Sequence, residues 1–115
     1  MIMRKHFYSL VVTGLFLALF NQLALADMVV IGQKNKTFVK DGNKIEKLEI
    51  KVGDTIRFMN QDPFFHNVFS LSDLKTFDLG SFPKGQFKPV IFDKPGTVEV
   101  ECAIHPQMYL EVTVK

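Results

Sequence analysis

Beyond residue 27 the apolar side chains recur at every second position in short bursts, with turn-forming residues between the bursts. A period of two marks a half-buried strand, because successive side chains point to opposite faces. Met28–Gly32 reads as a first strand. Leu48, Ile50 and Val52 alternate with Glu49 and Lys51, and Gly53-Asp54 then signals a turn. Ile56 and Phe58 share a face within Thr55–Met59, and His66–Ser70 is a further short strand. Phe87–Phe92 is extended, with Pro89 placing it at an edge or a bulge. After the turn Lys94-Pro95-Gly96 come Thr97–Cys102 and Tyr109–Lys115. Residues 71–86 read as one long irregular connection, and the spaced lysines Lys34, Lys36, Lys40 and Lys44 as a solvated loop. Seven or so strands of this kind predict an all-β domain, a two-sheet Greek-key β-sandwich. Phe58, Phe87 and Phe92 are assigned to its core.

Residues 1–26 follow a different pattern. Arg4 and Lys5 precede an apolar run from Phe7 to Phe20, and Ala24-Leu25-Ala26 follows. This is the layout of a cleaved secretory signal peptide. The apolar run, about 14 residues, is shorter than the roughly 20 a membrane-spanning helix needs. The expectation is a signal peptide over 1–26 and one exported domain over 27–115, periplasmic and without stable membrane insertion. The signal carries two of the 14 basic residues and none of the 12 acidic ones, which leaves 12 against 12. A neutral domain with interspersed signs shows no footprint for nucleic acid.

The chain has one cysteine, Cys102. That excludes an intramolecular disulfide framework and any zinc or iron–sulfur site built on several cysteines of one chain. An exported free thiol is open to oxidation unless it is buried, cross-linked or bound to metal. Strand parity bears on the choice. Val98, Val100 and Cys102 share one face, with Glu99 and Glu101 on the other; Met108, Leu110, Val112 and Val114 likewise share a face. Cys102 therefore points inward where one strand ends and Met108 points inward where the next begins. Between them lies Ala103-Ile104-His105-Pro106-Gln107, in which Pro106 biases His105 toward an extended conformation.

A thiol, an imidazole and a thioether thus meet at one end of the sandwich. Soft sulfur with imidazole suits copper, and two histidines with a cysteine and a weak axial methionine make a blue-copper site. His66 supplies the second histidine, since it follows the loop Asp62-Pro63-Phe64-Phe65 at the end of the strand that holds Phe58.

With these residues in place, the chain resembles a cupredoxin of the plastocyanin, amicyanin and pseudoazurin kind. The resemblance rests on Val52-Gly53-Asp54-Thr55-Ile56-Arg57-Phe58, on His66-Asn67-Val68, on Lys94-Pro95-Gly96-Thr97 and on Cys102-Ala103-Ile104-His105-Pro106-Gln107-Met108. It implies one copper ion cycling between Cu(I) and Cu(II) in single-electron transfer. His66, Cys102 and His105 would be the equatorial ligands and Met108 the axial one. Asn67 would tie the two ligand loops together by hydrogen bonds. His105 would be the electron port, with Pro106, Phe64 and Phe65 near it, for transient contact of a monomer with redox partner proteins. Ile104 departs from the family, whose loops of this length usually carry proline there.

Three other readings compete. The same ligands would serve a copper carrier or buffer without electron transfer. Cys102 and His105 could form a thiolate nucleophile, but no second domain is there to build a cleft and Met108 has no role in such a site; an enzyme is not expected. A metal-free binding sandwich with an inert buried thiol is the third. Asp73 and Asp78 have no evident carboxylate partner and are read as loop residues.

Overall fold

The computed structural model describes residues 25–115, so the expected signal peptide lies outside the described residues except for its last two. Among the described residues, ten strands form two five-stranded sheets. They are β1 (Met28–Lys34), β2 (Thr37–Lys40), β3 (Asn43–Lys44), β4 (Lys47–Ile50), β5 (Thr55–Asn60), β6 (His66–Ser70), β7 (Phe77–Phe82), β8 (Phe87–Ile91), β9 (Gly96–Cys102) and β10 (Tyr109–Val114). One sheet has the order β3-β2-β1-β5-β8 and the other β4-β10-β9-β6-β7. Strands β1 and β5 pair in parallel, as do β4 and β10; the other pairs are antiparallel. Parallel neighbours cannot be joined by a hairpin. The chain therefore crosses between sheets, as a Greek-key sandwich requires.

Alternation places the core between the sheets. In β5 Ile56, Phe58 and Asn60 point inward; in β9 Val98, Val100 and Cys102 do; in β10 Leu110, Val112 and Val114 do. The rings of Phe38 and Phe58 meet edge to face, 6.2 Å between centroids. Each such side chain, fully buried, contributes about 2 to 3 kcal/mol of hydrophobic stabilisation.

Four expectations need correction. The lysine-spaced stretch is not a loop but the β1–β2–β3 meander, with Phe38 and Val39 buried between the lysines. Residues 71–86 contain β7, which pairs with β6. A bulge interrupts its alternation: Phe77 and Leu79 pack inward, and then Phe82, three positions later, is buried. Gly80 takes the left-handed conformation there, φ 69°, which a residue without Cβ adopts freely. Val52 stands 45% exposed in the turn after β4. Phe87 is 44% exposed on the edge strand β8, under the Arg57 guanidinium, whose centre lies 3.4 Å from the ring centroid.

Candidate metal centre

Strand β5 runs parallel to β1 and ends at Asn60, level with Gln33. Four connections therefore gather at one end of the sandwich: the β1–β2 turn, residues 61–65, the β7–β8 turn, and residues 103–108 between β9 and β10. Three predicted site residues meet there. His66 opens β6 and Cys102 closes β9 on the neighbouring strand, where Cys102 pairs with Val68, two positions after His66. The nitrogens of His66 and His105 and the sulfur of Cys102 all lie within 4.8 Å of one another. Cys102 Sγ is 3.6 Å from His66 Nδ1 and 3.7 Å from His105 Nδ1.

These separations suit a shared ion. Bonds of about 2.3 Å to sulfur and about 2.0 Å to nitrogen, opened to a flat triangle, put sulfur about 3.7 Å from each nitrogen. Met108 is buried at the end of the same loop, and its N–H donates to the His105 carbonyl at 2.9 Å, closing the loop as a turn.

The neighbours orient the imidazoles. His66 is fully buried, and its Nε2 lies 2.7 Å from Asp62 Oδ2. A proton on Nε2 leaves the Nδ1 lone pair facing Cys102. Asp62 does more than this. Its carboxylate accepts the N–H groups of Asn35 at 2.7 Å and Lys36 at 3.1 Å, both in the left-handed β1–β2 turn. Its own N–H donates to Asn60 Oδ1. Burial pushes the Asp62 pKa up, but hydrogen bonds from His66, Lys36 and Asn35 outweigh burial and hold it below the ordinary value. For His105 the shift is also downward, first from burial and then from the His66 and Lys36 charges, so its nitrogens stay available as donors.

Asn67 joins the two ligand loops through its main chain: its carbonyl accepts the Ala103 N–H at 3.2 Å. Its side-chain Oδ1 is buried without a hydrogen-bond partner. Phe64 lies 5.3 Å from both imidazoles, centroid to centroid. It is 37% exposed and Phe65 57% exposed, so neither belongs to the core; Ile104 is 54% exposed beside them in sequence to His105. His105 itself is half-buried. A shallow hollow lined by Thr55, Phe77, Leu79, Pro89 and Ile91 lies between the edges of β7 and β8, toward the other end of the domain.

Sequence reasoning passed over Asp62. The available signal was a carboxylate four residues before a histidine, on a turn held by proline.

The architecture matches solved structures. A reduced, Cu(I) methionine-to-alanine mutant of amicyanin superposes with a TM-score of 0.66 at 23% identity, over 83% of this chain and 88% of that one. A reduced tryptophan-to-tyrosine mutant of amicyanin gives 0.67 at the same identity and coverage. The fold is that of a cupredoxin. A copper-containing nitrite reductase from Thermus scotoductus SA-01 matches with a TM-score of 0.66 at 25% identity, over 81% of this chain but 23% of that one. No protein-family model and no curated protein matches the chain. Three of the four residues expected as copper ligands, His66, Cys102 and His105, form the cluster described above.

Proposed function

We propose that this protein is an exported blue copper protein that carries single electrons between redox partners in the periplasm. The observation that carries the reading is the convergence of His66 Nδ1, Cys102 Sγ and His105 Nδ1 at one end of a cupredoxin fold. A copper ion held there supplies a one-electron Cu(I)/Cu(II) couple. His66, Cys102 and His105 would hold it, with Met108 as a further weak thioether donor.

The protein's own residues account for the rest. Cys102 would bind as thiolate and release a proton, so metal affinity should fall as the pH is lowered. Its burial keeps the sulfur from oxidants. The Asp62 and Ala103–Asn67 hydrogen bonds hold the ligand loops in one arrangement, which limits movement when the charge of the centre changes. His105 is the ligand nearest solvent and forms the route for the electron, with Phe64 and Ile104 around it. In this reading the protein is a carrier and not an enzyme, and it meets its partners briefly as a monomer.

A Cu(II) titration of the reduced protein, followed by visible absorption, tests this. An intense blue thiolate-to-copper band at one equivalent is the expected result. Copper bound without that band would favour a copper carrier or buffer, and a folded protein that binds no copper would refute the reading.

A further inference from the structure

The charges of residues 25–115 cancel, 12 basic against 12 acidic once Arg4 and Lys5 are set aside. Their arrangement does not. Five lysine–carboxylate pairs, Lys40–Asp41, Lys44–Glu46, Lys51–Asp27, Lys75–Asp93 and Lys115–Glu49, lie outside the four loops of the His105 end. At the His105 end stand Lys34 and Lys36 at the β1–β2 turn and Lys84 in the β7–β8 turn. All three are exposed, and none has a carboxylate partner among the described residues. Lys36 Nζ sits 5.7 Å from the centroid of Phe64, at the margin of the apolar ring. The four loops there contain one acid, Asp62, which is buried and fully engaged in hydrogen bonds. Glu101, next to Cys102 in sequence, is half-buried on the outer face of β9.

We propose that this end is a docking surface for an acidic electron-transfer protein, with Phe64, Phe65, Ile104 and Pro106 making contact and Lys34, Lys36 and Lys84 steering the approach. The inference rests on the copper reading, because it assigns the electron to the His105 edge. A carboxylate-fringed partner gains Coulomb attraction from three unpaired ammonium groups that have no local pair to break. The apolar centre excludes water without demanding a large contact area, which suits short-lived encounters. Because the whole domain is neutral, it has no net charge to attract or repel a partner. Steering comes from the local field, and salt screens it over a Debye length of about 8 Å at physiological ionic strength.

The test uses the copper-loaded, reduced protein and two small oxidants of opposite charge, hexacyanoferrate(III) and tris(phenanthroline)cobalt(III). The hexacyanoferrate rate constant should fall about tenfold from low to high ionic strength, and the cobalt rate should rise. Lys36→Glu with Lys84→Glu should reverse both slopes while leaving the blue band intact. Poly-L-glutamate should slow the hexacyanoferrate reaction of the parent protein and not that of the double variant. Rates indifferent to salt for both oxidants in a blue protein would overturn the docking surface and leave the copper reading standing. A protein that never turns blue overturns both.

Discussion

The carboxylate of Asp62 lies 2.7 Å from His66 Nε2 and also accepts the Asn35 and Lys36 N–H groups. One buried side chain thus fixes a histidine tautomer and pins a hairpin turn from the other side of the loop cluster. Asp62→Asn keeps the size but loses the charge and two of the acceptor positions. Copper affinity should weaken about tenfold or more, measured by chelator competition. The reduction potential should rise, since a less basic His66 supports Cu(II) less well. Asp62→Ala should in addition cost about 2 kcal/mol of folding stability in the metal-free protein. Unchanged affinity in Asp62→Asn would remove the orienting role.

Acid should unfold the metal-free protein in two stages. The His105 pKa is depressed by burial, so the unfolded state takes up protons first and stability begins to decline below about pH 6.5. Asp54 is depressed by the N–H groups of Asp27 and Lys51, and Asp62 as described above. A depressed carboxylate stabilises fully above its unfolded pKa and ceases to as pH falls through its folded one. The steep loss therefore belongs below about pH 4. Urea midpoints at pH 8, 5 and 3 check this, and a midpoint that rises on acidification contradicts it.

Cys102→Ser should fold and lose the blue band, because the thiolate is the source of the colour. A variant that stays blue would displace Cys102 from the site. Met108→Leu should keep copper and raise the potential, since a buried alkyl group cannot donate to Cu(II). Voltammetry of the two proteins side by side decides whether Met108 is axial.

Gln33 is fully buried on the inward face of β1, and neither its Oε1 nor its Nε2 has a partner. An unpaired buried amide costs about 1 to 3 kcal/mol. Gln33→Met has similar volume and no hydrogen-bonding demand. It should raise the midpoint of thermal unfolding, by several degrees in a domain this size. A lowered midpoint would mean that the amide is satisfied by water.

The inward side chains of β5, β9 and β10 could be read from alternation, because a period of two maps directly onto two faces. Cys102 and Met108 were placed by the same parity. The His66–Cys102–His105 group followed from there being only one thiol and two histidines after residue 27. Strand β7 was hidden because the bulge at Gly80 shifts its inward positions by one. The β2–β3 hairpin carried a usable signal in Asp41-Gly42, but the lysines around two buried residues obscured it. At the β1–β2 turn, Asn35-Lys36 adopts left-handed angles without the glycine that usually announces them.

Sequence alone therefore determined the local alternation, the fold class and the donor types, all set by neighbouring residues and simple counts. Tertiary structure decided which distant groups meet: Asp62 with His66, the Asn67 carbonyl with Ala103, and unpaired lysines beside an apolar ring. Those contacts depend on how parallel β1 and β5 bring turns from both sheets to one end. Pairing between segments far apart in the chain leaves no periodic trace within either segment.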